Sequence, residues 1–229
     1  MSLILNIDTA TDIAHVSLSQ SGEMLDSITN NDQKEHGSFL QPSIQKLLKN
    51  NSLAIASLDA VAVSVGPGSY TGLRVGMASA KGICFALQKP LITINSLEII
   101  AYAALLENSH KYDLTNALLC PLIDARRMEV FTALYNQKLE KILEPQAMII
   151  DPSSFEHYLL INKILFAGNG AKKWELICNN DNALFAQIPS NPLAMNKLSF
   201  IKYEKNDFSD LAYSEPSYLK EFFDSSKQA

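Results

Sequence analysis

The segment from residue 60 to residue 88 constrains the fold of this chain more than any other feature. Residues 60–65 form a short apolar run, which predicts a buried strand. A glycine-rich turn at residues 66–72 follows, and the pattern then predicts a helix over residues 71–88. A strand that passes through a tight turn into a helix is the repeating unit of layered α/β proteins. We therefore expect an α/β fold.

The residues before this segment predict an antiparallel start to the same sheet. Short strand patterns occupy residues 3–7, 13–18 and 23–28, with a turn signal at residues 20–22. The first strand begins without a basic stretch and soon reaches Asp8, which favours a strand over a signal peptide.

The first predicted helix covers residues 38–50. Its apolar side chains recur at helical spacing, at Leu40, Ile44, Leu47 and Leu48. Ser38 and Gln41 fit a capping box, so we expect the helix to start there, with Pro42 near the first turn.

The order of strands and helices predicts two related lobes, each a mixed sheet flanked by helices. The first lobe, residues 1–106, ends with a strand at 91–94 and a helix capped by Ser96. The second lobe, residues 107–229, follows a polar break and repeats the pattern more weakly. Its predicted elements are strands at 117–123, 129–135 and 163–167, helices from residue 171 and near 193–205, and a frayed end at 224–229. For the helix near 193–205, packing on the first lobe is the alternative.

The composition excludes several classes of protein. Apolar residues make up 47% of the chain and charged residues 19%, which is typical of a globular protein. The net charge of −5 argues against a protein that holds RNA by itself, because phosphate contacts require a basic surface. The three cysteines are dispersed, which argues against a disulfide framework and favours a reducing cytoplasm; they are Cys84, Cys120 and Cys178. No apolar run reaches the roughly 20 residues that cross a bilayer.

The glycine-rich turn has two interpretations. Backbone N–H groups at a turn before a helix can bind an anion. The glycine spacing differs from that of the dinucleotide fingerprint, and no Gly-Lys-Ser/Thr follows as in a P-loop. The alternative is that the glycines only permit a tight turn and close packing of the helix.

The helix that follows the turn is apolar on nearly every side. Interior glycines cost about 1 kcal/mol each relative to alanine, so close approach of another element should offset Gly76 and Gly82. Our hypothesis is that one side of this helix, with the helix at 38–50, contacts a protein partner, and that leucine at either glycine blocks association with modest harm to the fold. The alternative is an ordinary core helix that its own chain covers.

Two aspartates follow strands where an actin-like kinase would hold phosphate and Mg²⁺. Asp8, with Thr9 and Thr11 after it, ends the first strand, and Asp124 ends a strand of the second lobe. The glycine that lets backbone approach a phosphate is missing at both loops, which disfavours ATP hydrolysis. The four histidines show no paired metal-ligand spacing, and no nucleophile motif is present, so we expect neither a metal site nor catalytic residues.

Several segments together resemble one family, TsaB (YeaZ). They are Ile7-Asp8-Thr9-Ala10, Glu35-His36-Gly37, the block from Gly66 to Gly76, Ala80-Lys81-Gly82, Ile123-Asp124-Ala125-Arg126, Glu129-Val130-Phe131, Gly168-Asn169-Gly170 and Pro216-Ser217-Tyr218-Leu219-Lys220. Tyr70 stands where phenylalanine is commoner in that family, and Lys220 where arginine is usual.

The resemblance implies an actin-like (ribonuclease H-like, ASKHA) fold and a non-catalytic role. It implies that the chain binds and activates a TsaD-type catalytic subunit and that a TsaE-type ATPase joins the pair. The complex would form N6-threonylcarbamoyladenosine in tRNAs that read codons beginning with A. It also implies a homodimer when the chain is alone, indirect contact with tRNA, and ATP with Mg²⁺ only in the assembled complex. The interface maps onto His36, Phe39, Leu40, Gly72, Leu73, Arg74, Gly76, Met77 and Ala80.

Two enzymatic hypotheses compete with the non-catalytic role. The first is an actin-fold phosphotransferase that binds ATP between the lobes through Asp8 and Asp124. The second is a metallopeptidase, in line with older glycoprotease naming of the family, and the histidine spacing disfavours it.

Overall fold

Two five-stranded mixed sheets form the part of the chain that this computed structural model describes, residues 2–188 and 192–220. The predicted fraying of residues 224–229 lies outside the described residues. In the described part, no helix is both long and apolar enough to cross a membrane.

The first sheet combines an antiparallel meander with parallel strands. Its strands are β1 (Leu3–Asp8), β2 (Ala14–Gln20), β3 (Glu23–Asn30), β4 (Ala60–Ser64) and β5 (Leu91–Ile94). The order is β3-β2-β1-β4-β5, with β1, β2 and β3 antiparallel and β4 and β5 parallel to β1. All five strands were predicted, to within two residues at each end.

The second sheet repeats this arrangement. Its strands are β6 (Leu118–Asp124), β7 (Glu129–Tyr135), β8 (Lys141–Ile149), β9 (Ile164–Ala167) and β10 (Ala183–Ala186). The order β10-β9-β6-β7-β8 gives β6 the central place that β1 holds in the first sheet. The α/β fold with two related lobes is thereby confirmed. β8 and β10, which are partly exposed edge strands, were not predicted from the sequence.

Six α-helices flank the sheets in the described residues. They are α1 (His36–Asn50), α2 (Tyr70–Leu87), α3 (Ser96–Asn108), α4 (Glu156–Leu159), α5 (Ala171–Glu175) and α6 (Leu193–Glu204).

Two predicted helix caps were wrong. α1 begins at His36, and the Ser38 hydroxyl donates to the Glu35 carbonyl instead of capping, so Pro42 lies inside the helix. α3 is capped by Asn95, whose Oδ1 accepts from the Leu97 amide at 2.9 Å. Ser96 Oγ accepts instead from the Gly66 amide at 3.1 Å, because the turn after β4 passes next to it.

Each sheet buries both faces. On the first sheet, α1 and α2 cover the face that contains Leu5 and Val63, and α6 covers the face that contains Ile4 and Ala62. On the second sheet, α3 covers one face. The helices α4 and α5 pack on the other face, where Trp174 is buried. Burying one large apolar side chain stabilises a fold by about 1.5–3 kcal/mol, so these four layers hold the molecule together.

The helices α3 and α6 connect the two lobes. α3 follows β5 of the first sheet, yet Leu97 and Ala101 pack on the second sheet. α6 follows the second sheet in the chain and packs on the first, where the Ser17 hydroxyl donates to Asn196 Oδ1 at 2.7 Å. The predicted boundary between residues 106 and 107 falls inside α3.

Candidate functional site

The loop after β1 is closed by hydrogen bonds within the chain. The Thr9 amide donates to Ser64 Oγ at 3.4 Å, and the Ala10 amide donates to Asp8 Oδ1 at 3.1 Å. The Ala10 carbonyl accepts from the Ser69 amide at 2.6 Å. The Thr9 and Ala10 amides therefore already have partners within the chain, whereas a phosphate loop leaves such groups free for its ligand.

The glycine-rich turn packs directly on this loop. A Cβ on Gly68 would collide with the Ala10 carbonyl, and one on Gly72 with the Thr9 carbonyl. A Cβ on Gly66 would lie 2.8 Å from the Ser217 carbonyl oxygen. Each of these three glycines stands where another backbone segment comes too close for a side chain, which supports the packing interpretation.

The corresponding loop after β6 is closed in the same manner. The Asp124 amide donates to Asn169 Oδ1 at 2.9 Å, and Asp124 Oδ1 accepts from the Arg126 amide at 2.6 Å. Lys173 Nζ lies 2.8 Å from the same oxygen. Partial burial works to raise the pKa of Asp124, but the bonds from Lys173 and the Arg126 amide outweigh it, and the pKa is lowered.

A cleft separates the two lobes beside these loops. Asn169 Nδ2 donates to Asp12 Oδ2 at 3.0 Å and joins the lobes across it. Two cavities adjoin this bond, one of about 820 Å³ lined by Asp124 and one of about 800 Å³ lined by Asp8. Charged and polar side chains line part of the second cavity, among them Asp8, Asp12, His15, Lys111, Lys172 and Asn169.

His36 is buried near the same loops. It is 2% exposed, and within the described residues neither ring nitrogen makes a well-aligned hydrogen bond, although the Asp12 backbone lies close to the ring. Burial lowers the pKa of His36 and outweighs the opposing effect of the nearby Asp12, Asp8 and Asp32. Among residues 2–188 and 192–220, no three His, Cys, Asp or Glu side chains lie close enough together to hold a metal ion.

Most of the residues predicted to contact a partner face the interior instead. The buried ones are His36, Leu40, Gly72, Leu73, Gly76, Met77 and Ala80. These seven are buried because α1 and α2 turn these positions toward the first sheet and its loops, and their contact with a partner stays a prediction. Phe39 is half-buried against the same core, and Arg74 is exposed.

Eight exposed, uncharged residues on the outward sides of α1 and α2 form a different surface, which we call the α1–α2 surface. It consists of Ser38, Gln41, Gln45, Thr71, Ala78, Gly82, Phe85 and Ala86, all exposed. Gln41 Nε2 donates to Ser79 Oγ at 2.9 Å, which holds the two helices side by side. The surface contains small and polar side chains and one large apolar one, Phe85, which is 71% exposed. None of its eight members is ionised.

Ala78 and Phe85 were not predicted from the sequence as surface residues. Thr71, Ala78, Gly82 and Phe85 recur at helical spacing, which was the available signal. Because α2 is apolar on nearly every side, that spacing did not show which of its faces met the sheet.

Comparisons with known proteins agree with this architecture. Residues 23–220 match the family model described as TsaD, tRNA N6-adenosine threonylcarbamoyltransferase. TsaB of Bacillus subtilis, a tRNA threonylcarbamoyladenosine biosynthesis protein, is 31% identical over 150 residues, which cover 64% of this chain and 62% of that protein. The chain belongs to the TsaB (YeaZ) family. The TsaB proteins of Haemophilus influenzae and Escherichia coli match with 36% and 30% identity over 56% and 62% of this chain.

The solved structures of this family cover more of the chain. YeaZ from Pseudomonas aeruginosa superimposes with a TM-score of 0.75 at 26% identity, over 96% of this chain and 100% of that one. A P. aeruginosa protein described as similar to peptidase YEAZ has a TM-score of 0.77 at 25% identity, with the same coverage. In the sequence matches, the chain spans 62%, 51% and 63% of the three curated TsaB proteins.

Proposed function

We propose that this chain is a non-catalytic subunit that binds and activates a TsaD-type catalytic subunit in the formation of N6-threonylcarbamoyladenosine in tRNA. The named role of its TsaB relatives in that biosynthesis supports the pathway. The observation that carries the binding role is the α1–α2 surface, whose eight members are uncharged and include the exposed Phe85, while the exposed charges of the two helices lie at Lys46, Lys49 and Arg74. Protein interfaces are depleted of charged residues at their centre.

Small residues on α2 suit the close approach of a partner helix. Ala78, Gly82 and Ala86 are all exposed and lie at helical spacing. Two helices cross at about 8–10 Å depending on the side chains at the contact, and small residues allow the shorter distances. Phe85 beside them supplies a large apolar side chain of the kind that contributes strongly to binding when it enters a partner's pocket.

The remaining roles rest on the family resemblance, and the net charge supports one of them. Because a net charge of −5 disfavours contact with RNA phosphates, we propose that the chain contacts tRNA only indirectly, through its partner. We propose that the α1–α2 surface also supports a homodimer when the partner is absent, and that a TsaE-type ATPase joins the pair. ATP with Mg²⁺ enters only in the assembled complex, and the complex acts in the cytoplasm.

Light scattering on the chain alone, on the TsaD-type subunit of the same organism, and on their mixture tests this proposal. We expect a homodimer that gives way to a stable heterodimer. A failure to associate under every nucleotide condition contradicts the proposal.

The alternative is an actin-fold phosphotransferase that binds ATP in the cleft between the lobes. The cavity of about 800 Å³ beside Asp8 favours it. The amides of Thr9 and Ala10 and the carboxylate of Asp124 oppose it, because each already has a partner within the chain. Titration calorimetry with ATP and Mg²⁺ distinguishes the two functions. Stoichiometric binding, together with ATP turnover by the chain alone, would favour the phosphotransferase over our proposal.

A further inference from the structure

Residues 209–220, which we call the strap, run without regular secondary structure across the first lobe toward the second. The Ser209 amide donates to the Leu91 carbonyl of β5 at 2.8 Å, and Leu211 packs against the core beneath α2. The Ser217 amide donates to the Val65 carbonyl at 2.7 Å. Lys220 Nζ lies 2.6 Å from Glu129 Oε2 on β7 of the second sheet.

The strap follows one side of α2. Lys81 Nζ donates to the carbonyls of Ala212 and Ser214, each at 3.0 Å. At the start of α2, Arg74 Nε donates to the Tyr218 hydroxyl at 3.0 Å. The helix is thus held at two points about two turns apart.

Tyr218, Tyr70 and Arg74 form one cluster at the start of α2. The two ring centroids are 5.2 Å apart, and Arg74 Cζ lies 4.0 Å from the centroid of Tyr70 and 6.0 Å from that of Tyr218. A guanidinium within about 6 Å of a ring centroid is attracted to the ring face. Tyr218 therefore restricts the side chains of Tyr70 and Arg74, which are both exposed in the first turns of α2.

We propose that Tyr218 is a positioning residue for partner binding, which holds Tyr70 and Arg74 in one arrangement beside the α1–α2 surface. This inference rests on the proposed function. Tyrosine and arginine are among the residues enriched at the energetic centre of interfaces, and fixing them before association lowers the entropy lost on binding. The anchors at Ser217 and Lys220, on either side of Tyr218, keep it in place.

The chain offers a matched control on the same strap. Tyr213 is 84% exposed, whereas the Tyr218 hydroxyl and ring contact α2. Tyr218→Ala removes the hydrogen bond and the ring contact, Tyr218→Phe removes only the hydrogen bond, and Tyr213→Ala removes an exposed ring of the same size.

Two measurements test the inference: calorimetric affinity for the TsaD-type subunit, and hydrogen exchange of residues 70–76 in the free chain. We expect Tyr218→Ala to weaken binding about tenfold and to speed exchange, with Tyr218→Phe in between and Tyr213→Ala like the wild type. Equal affinity and equal exchange for Tyr218→Ala and Tyr213→Ala overturn the inference. If the wild type does not bind the subunit, the proposed function fails, and unchanged exchange in Tyr218→Ala then excludes the positioning role as well.

Discussion

A Cβ on Gly76 would lie 2.5 Å from Thr9 Oγ1, because α2 packs directly on the loop after β1. Thr9 is fully buried, and its hydroxyl donates to the Gly72 carbonyl at 2.7 Å. Within the described residues, a Cβ on Gly82 would meet no atom within 4 Å. The two glycines of one helix therefore serve different purposes: Gly76 allows the helix to dock on its own sheet, and Gly82 leaves the outer surface open.

Gly76→Leu should destabilise the first lobe. The added side chain has to displace Thr9 or lift α2 from the sheet, and overpacking of this kind costs about 1–3 kcal/mol or more. Urea denaturation followed by circular dichroism measures the change. Unfolding at the wild-type urea concentration would contradict the close docking of α2. The sequence-based expectation of only modest harm is thus revised.

Gly82→Leu should leave the fold intact and block association. Replacing an exposed helical glycine by leucine is expected to raise the free energy of unfolding by up to about 1 kcal/mol, because glycine is a poor helix former. A partner helix that approaches at Ala78 and Gly82 would collide with the added side chain. Light scattering of mixtures with the TsaD-type subunit, beside the same urea experiment, checks both parts. Normal association by the folded variant would place the interface elsewhere.

Phe85→Asp should weaken partner binding at least tenfold, since a carboxylate in a desolvated contact loses its hydration without gaining a partner. Leu176→Asp is the matched control, because Leu176 is 77% exposed and lies on the second lobe. We expect calorimetry to show wild-type affinity for the control. Equal losses in both variants would mean that added negative charge, and not the site, weakens binding.

Stability should fall as the pH drops below about 6.5, the ordinary pKa of histidine. Burial lowers the pKa of both His36 and His15 in the folded chain. The unfolded chain then binds protons at a pH where the folded chain does not, so protonation favours unfolding. His36→Leu should flatten the decline between pH 7 and 5 without abolishing it, since His15 remains. Urea midpoints across this range measure it, with the exposed His110→Leu as control, and an unchanged slope in His36→Leu would refute it.

The three thiols should differ in reactivity. Burial raises the pKa of Cys84 to about 11 and that of Cys120 further still, so little thiolate forms near pH 8. Cys178 is only half-buried, although burial raises its pKa as well. With Ellman's reagent, we expect Cys178 to react first and the other two only after unfolding in urea. Rapid reaction of all three thiols in the native chain would show that the sheets open readily.

The order of strands and helices could be predicted because each has its own hydrophobic period. The meander of β1 to β3 and the strand, turn and helix that contain α2 followed from this pattern alone. β8 and β10 did not, because only some of their side chains are buried and the alternation is weak. The start of α1 was misplaced because the residues around it fit a cap that the chain does not use.

The residues around the candidate site were harder to predict. The aspartates were identified, but the partners that occupy the two loops, Ser64 and Lys173, lie far away in sequence. The strap has no hydrophobic period, so its contacts with α2 could not be predicted.

The sequence by itself determined the α/β class, the two related lobes and the family, because these depend on local periodicity and on a glycine-rich block of fixed spacing. Only the tertiary structure decided that α3 covers the second sheet and α6 the first, and which side of α2 remains exposed. An apolar face specifies that it will be buried but not which surface will cover it, since the hydrophobic effect is non-directional. That choice depends on the shapes and contacts of segments that are distant in the chain.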